Sequence, residues 1–445
     1  MVLLISGCSC GTPSGSDSGT GGGGFGGGTT GGGTTGGGGG STGGGGGATG
    51  GGTGGGAQDA GTDAGVDAGS MDAGTDAGTL DAGTLCQFTP APIDGTRHVV
   101  VSHPFPDDGG TRDNQWELFS LSSTGTLTPT GTFWRMGRTS DPSAPVVFTP
   151  DGRIGFAAQE DGTIGIFKVE SNTVTVINPR LAGAFSAGKL VLDPAGNRLW
   201  VLDFNTQNNG GGLYRLDIDC SGNLFNEQYV FPGNNAAAAT YLPTAKTLVV
   251  ATRSLGTSAM MQDLVQVDLS GPTPALGSSN TGFPDRDAIA PTVSATLDEH
   301  VVAMPDNGFS VGSRIAFFGL SAGTLTARQV VNTTNPISVT FSPFADVGMV
   351  VNTDGADQFR RVTWNAGATL FVVSAPLTYA FGRPQLPSAP VMITRGMLTG
   401  NMLVAELDAI RQLRFETDGG ITDVAKVSAG GTGSGQILGT IGVSP

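Results

Sequence analysis

A composition break near residue 85, a four-strand phrase that recurs through the rest of the chain, and one incomplete copy completed by the last residues predict the fold. Together they define an all-β protein, a seven-bladed β-propeller closed by its C-terminal strand and preceded by a disordered glycine-rich tether.

Residues 1–85 hold seven acids (Asp17, Asp59, Asp63, Asp67, Asp72, Asp76 and Asp81), no Lys or Arg, and glycine at most positions from Gly19 to Gly56. Such a tract has too little apolar surface to offset the entropy of ordering it, so residues 9–85 are expected to be a disordered linker. As a glycine-rich coil, the stretch from Cys8 to Leu85 would span about 50 Å on average and roughly 260 Å fully extended. Its second half repeats Asp-Ala-Gly from Asp59 to Asp81. A calcium loop needs oxygens converging on a fixed turn, and this irregular spacing fits a solvated, self-repelling spacer better.

The remaining residues, 86–445, carry 30 of the 37 acids and all 22 bases. That acidic balance lacks the basic footprint of nucleic-acid or anionic-membrane binding, and both partners are disfavoured. No stretch reaches the roughly 18 apolar residues of a spanning helix.

One copy of the repeated phrase begins with the strand Val146-Val147-Phe148-Thr149-Pro150 and the turn Asp151-Gly152. A second strand at 153–160, a third at 164–170 and a fourth reading TVTVINP follow. Further copies start near residues 190, 239, 293, 339 and 391, with marker prolines at Pro150, Pro194, Pro243 and Pro343. Four short strands per repeat, each sheet hiding its faces against its neighbours, are the signature of propeller blades. Ala236 to Ala239 is helix-friendly but too short to nucleate a helix.

The seventh copy is split. Residues 97–104, 115–122 and the strand LTPTGTFW supply its second to fourth strands, while Ile437–Pro445 repeats the first-strand pattern and stops at a proline. Joining the two ends closes the ring and leaves no open sheet edge. The folded part is expected to be a monomer.

The units FTPDGRIGFAAQEDGTIGIFKVESNT at 148–173 and FSPFADVGMVVNTDG at 341–355 resemble lactonase-type seven-bladed propellers, which include 6-phosphogluconolactonases, and YVTN-type surface propellers. The chain does not resemble the WD40 type, because none of Trp116, Trp134, Trp200 and Trp364 is followed by Asp. The resemblance implies a lactone hydrolase or a surface binding module. Lactonases carry histidines just before the first-strand motif, whereas Ser143-Ala144-Pro145-Val146-Val147-Phe148 has none. Ile5-Ser6-Gly7-Cys8 resembles the lipobox of bacterial lipoproteins, which implies that residues 1–8 are a signal segment, that Cys8 is lipidated, and that the protein sits outside the cytoplasm on a membrane. Only seven residues, none charged, precede Cys8, which leaves an upstream start codon open; the alternative is an ordinary N-terminus with Cys8 and Cys10 as incidental thiols.

Of His98, His103 and His300, only His103 stands beside a polar loop at a strand end; it is a candidate for a catalytic base, with a structural or solvent-facing role as the alternative. Two segments leading into first strands read Arg138-Thr-Ser-Asp-Pro142-Ser-Ala-Pro145 and Arg383-Pro-Gln-Leu-Pro387-Ser-Ala-Pro390, with Arg286 comparably placed before Pro291. Arginines converging on one mouth could hold a carboxylate or phosphate, whereas pairing with Glu160, Asp203 and Asp306 is the structural alternative. Calcium held by those acids is a third option.

Cys86 and Cys220 would share one rim of a propeller, so a disulfide and two buried thiols both remain open. No Gly-x-Ser-x-Gly elbow, His-Glu-x-x-His or phosphate loop occurs. No cofactor is implied. The sequence therefore favours a non-catalytic module for a small anionic ligand, or a surface protein or glycan, with a lactonase-like hydrolase as the alternative.

Overall fold

The computed structural model describes residues 83–104, 114–203, 211–232, 235–253, 264–280, 282–283, 290–307, 313–353, 358–430 and 438–445. They form seven antiparallel sheets of four strands, and no helix occurs among them. Blade 1 is the split one: Ile441–Val443 pairs with Arg97–His103, followed outward by Gln115–Leu121 and Leu127–Arg135. Blades 2 to 7 are continuous and occupy residues 147–181, 187–232, 235–280, 294–332, 336–376 and 391–428. Ala236 to Ala239 lies within the first strand of blade 4, Asn235–Leu242, because ladder pairing with Thr247–Arg253 overrides a weak helical preference.

Second strands are apolar without alternation because both of their faces are covered. In blade 5, Val302 and Met304 pack in the cluster shared with blade 4, whereas Val301 and Ala303 pack in the cluster shared with blade 6. Fourth strands show the opposite regime: Thr173–Leu181 is exposed or half-buried throughout. Each of the seven junctions between neighbouring blades holds one such cluster. The cluster joining blade 7 to blade 1 combines Leu403, Ala405 and Ile410 with Val99, Val101, Phe119, Leu438 and Ile441, so the ring is closed by hydrophobic burial as well as by pairing.

The turn after a first strand is capped by a side-chain oxygen. Thr149 Oγ1 accepts the Ile154 N–H at 3.1 Å, Asp193 Oδ1 accepts that of Arg198 at 3.0 Å, and Thr296 Oγ1 accepts that of Val301 at 3.1 Å. These caps fix the tight first-to-second turn that the marker prolines signal in the sequence.

Antiparallel order puts the first-to-second and third-to-fourth turns on one face, called lower here, and the other connections on the upper face. Residues 83–96 run along the lower face. A disulfide joins Cys86 to Cys220 in the third-to-fourth turn of blade 3, with Cα atoms 4.7 Å apart. Ala91 N–H then donates to the Pro150 carbonyl at 2.8 Å, and Asp94 Oδ1 accepts the Met397 N–H at 2.9 Å. The buried Arg97 guanidinium bonds the carbonyls of Ile93, Arg395 and Ser444 at 2.9, 3.1 and 3.3 Å. This strap spans blades 3, 2 and 7 and ends at the seam where the C-terminal strand docks. The cross-link encloses a sequence separation of 134 residues, and a bridge of that kind commonly contributes about 2–4 kcal/mol.

The C-terminal strand needs its glycines. A β-carbon at Gly439 would lie 2.2 Å from the Thr139 carbonyl oxygen, and one at Gly442 would lie 2.5 Å from Val146 Cβ. Only residues without a side chain let this segment press against the chain entering blade 2.

Candidate functional site

First strands from several blades converge on a central cavity of about 580 Å3. Val147, Leu190, Ala238, Val293, Arg395 and Val443 come from six different blades and line it. The volume falls within the usual range for small-molecule sites, and the walls are mainly aliphatic and proline side chains.

Three charged residues belong to the described lining: Lys189, Asp193 and Arg395. Lys189 stands near the upper end of the first strand of blade 3, Ala187–Leu192, while Asp193 and Arg395 lie in first-to-second turns at the lower end. Lys189 is buried, and its ammonium donates to the Pro291 carbonyl across the channel. Asp141 Oδ2 lies 3.9 Å from the Lys189 nitrogen, while Asp141 Oδ1 accepts the Ser143 N–H at 2.8 Å and its hydroxyl at 2.6 Å. Burial lowers the Lys189 pKa, and Asp141 pulls it only partly back. Burial raises the Asp193 pKa against the backbone N–H groups of its own turn.

Linkage gives this burial a measurable sign. The unfolded chain keeps the Lys189 proton up to about 10.5, the folded chain releases it at lower pH, and so stability rises with pH between those two values. Lys189→Met is therefore expected to melt higher than the native chain near neutral pH, with the gap closing as pH approaches 10.5. Melting curves across pH check this, and a gap that stays constant with pH would show that the native ammonium is not desolvated.

The residues singled out from sequence take several positions. His103 ends the second strand of blade 1 with 1% exposure, its Nε2 bonded to Glu117 Oε2 at 3.1 Å. Glu117 also accepts the Gly430 N–H at 2.6 Å, and His103 Nδ1 makes no hydrogen bond among the described residues. A buried imidazole shielded in this way is poorly placed to meet a substrate.

Arg138 Nε pairs with Glu160 Oε2 at 3.0 Å, both side chains partly exposed. Arg383 Nε donates to Gln358 Oε1 at 3.1 Å. Ala389 N–H donates to the Pro142 carbonyl at 2.8 Å, so the two arginine-headed segments meet on the upper face. Arg286 lies outside the described residues. Asp203 and Asp306 are fully buried: the first accepts the Ser186 N–H at 3.0 Å, and the second pairs with Arg314 at 3.2 Å. No cluster of metal-ligating side chains occurs among the described residues.

Lys189 and Asp141 were not identified from sequence. Lys189 interrupts the apolar run of Ala187-Gly188-Lys189-Leu190-Val191-Leu192, the one local signal that a first strand turns a cation toward the axis.

The chain matches no protein-family model and no curated protein. Its fold is similar to those of several solved structures. A Bacteroides fragilis protein described as a candidate 6-phosphogluconolactonase superposes with a TM-score of 0.60 at 13% identity, covering 80% of this chain and 100% of its own. A Bacteroides uniformis protein of the same description gives 0.58 at 11%, covering 78% and 99%. The periplasmic gluconolactonase of Pseudomonas aeruginosa gives 0.55 at 12%, covering 79% and 99%. At these identities the likeness is one of fold.

Proposed function

We propose that the protein is a lipid-anchored, extracytoplasmic propeller that binds a small anionic molecule in its central channel without turning it over. The buried Lys189 ammonium, facing a channel of about 580 Å3 with mostly apolar walls, carries this reading. A desolvated cation held by one carbonyl and a carboxylate 3.9 Å away gains from an incoming anion. Arg138 and Arg383, on segments that meet at the upper face, would draw the anion toward that mouth. Cys8 supplies the membrane attachment and residues 9–85 the spacer.

The lactonase-like alternative would use the His103–Glu117 pair, in which His103 Nδ1 has no hydrogen-bond partner among the described residues. Its burial favours a structural role.

A thermal-shift screen of lactones, sugar phosphates, organic acids and acidic glycans on the full chain, with a lactone-hydrolysis assay alongside, separates the readings. Stabilisation without turnover is expected, and Val147→Trp, which fills the channel, should abolish it. Lactone hydrolysis that disappears in His103→Ala would replace the binding module with a hydrolase. Cys8→Ser should move the protein from the membrane to the soluble fraction, and an unchanged membrane fraction would remove the anchor.

A further inference from the structure

We infer that the upper end of the channel is a carboxylate site, taking a monoanion with an apolar body and using Lys189 as its counter-ion. This rests on the channel being the ligand site and specifies what it selects.

Charge is distributed unevenly along the channel. The four residue steps from Lys189 to Asp193 rise roughly 13 Å in extended backbone, so the acid at the lower end does not compete with a ligand at the upper one. An ammonium has three donors. Those of Lys189 meet the Pro291 carbonyl and Asp141 at 3.9 Å, well beyond the about 2.7–2.9 Å of a charge-assisted bond. Asp141 cannot close on Lys189 without disturbing its own loop, because its other oxygen holds both the N–H and the hydroxyl of Ser143. A ligand carboxylate can make the short contact that Asp141 does not make.

The walls decide between anions. Pro145, Val146, Leu190, Pro291 and Val293 surround this end and offer no side-chain donor or acceptor, and the Ser143 and Thr292 hydroxyls of the same lining already donate to Asp141 Oδ1 and the Ile337 carbonyl. The hydroxyls of a phosphorylated sugar would lose water there without replacement. A dianionic phosphate would also face Asp141, whereas a monoanion leaves the combined charge of Lys189, Asp141 and ligand at minus one. An alkyl or aromatic carboxylate satisfies both conditions, with its chain along the valines and its head on Lys189.

Calorimetric titration of the full chain with octanoate, 1-octanol and glucose 6-phosphate tests the assignment. Octanoate is expected to bind about tenfold or more tightly than 1-octanol, the worth of one charge-assisted hydrogen bond. In Lys189→Met that preference should vanish while 1-octanol binding persists. Asp141→Asn should tighten octanoate several-fold, and this variant decides the matter if Lys189→Met does not fold; unchanged or weaker octanoate binding in it overturns the inference. So does 1-octanol binding with no preference for octanoate, or a preference for glucose 6-phosphate, although the channel would remain the ligand site. Binding of neither octanoate nor 1-octanol, or octanoate binding that survives Val147→Trp, removes the channel reading itself.

Discussion

Deleting residues 437–445 is expected to abolish cooperative folding of the propeller. The deletion removes Leu438 and Ile441, both about 1% exposed, from the cluster between blades 7 and 1. It also removes the partner of Val99 to Val101 and a set of seam bonds: Gly439 N–H to the Ser102 carbonyl at 3.0 Å, Ser444 N–H to the His98 carbonyl at 2.8 Å, and His98 N–H to Ser444 Oγ at 2.8 Å. Two large apolar side chains at about 2–3 kcal/mol each and several hydrogen bonds at about 1 kcal/mol each sum to the order of 10 kcal/mol. That rivals the total stability of roughly 5–15 kcal/mol of an ordinary domain. The exposed edge of Arg97–His103 would then template aggregation. Denaturation followed by far-ultraviolet circular dichroism checks this, and a midpoint equal to that of the full chain would mean that the ring does not depend on its C-terminal strand.

Arg411→Ala is expected to destabilise by about 3–5 kcal/mol, the usual consequence of orphaning buried carboxylates. Arg411 has no solvent exposure; it binds Glu406, also fully buried, and reaches Asp423 Oδ2 at 2.6 Å and the Gly382 carbonyl at 2.9 Å. Burial alone would lower its pKa, but Glu406 and Asp423 more than offset this and the pKa is raised. Lys426, at 3.1 Å from Glu406, shares only part of that load. Because Asp423 also accepts the Ala380 and Phe381 N–H groups at 2.9 and 3.2 Å, Arg411 holds the chain leading to Arg383 against blade 7. The double variant Arg411→Met/Glu406→Gln should recover part of the loss, since the neutral amide removes one of the two orphaned carboxylates. Urea denaturation of the native chain and the two variants measures the loss and its partial recovery, and a loss below about 1 kcal/mol for Arg411→Ala would show that the network does not hold this corner.

Most of the architecture was legible because a blade imposes a local rhythm. Turns capped by Thr149 or Asp193 recur at intervals set by four short strands, and the split blade betrays itself as one missing phrase at each end. Where packing competed with propensity, as at Ala236 to Ala239, ladder pairing won.

The candidate site was much less visible. The channel exists only where first strands from distant parts of the chain converge, and no local pattern tells that Lys189 will sit opposite Pro291 or near Asp141. His103 looked available because a polar loop follows it. Glu117 covers it through a third strand, and Gly430, 313 positions away from Glu117, completes the lid. Arg138 pairs with Glu160, one of the acids that the sequence offers as a partner for the arginines.

A crystal structure of the full chain grown with octanoate tests the central claim most directly. The expected result is seven four-stranded sheets closed by Ile441–Val443, with the octanoate carboxylate in hydrogen-bond contact with Lys189 Nζ and its alkyl chain in the channel. Octanoate bound elsewhere while the channel holds none, or a ring with another number of sheets, would contradict it.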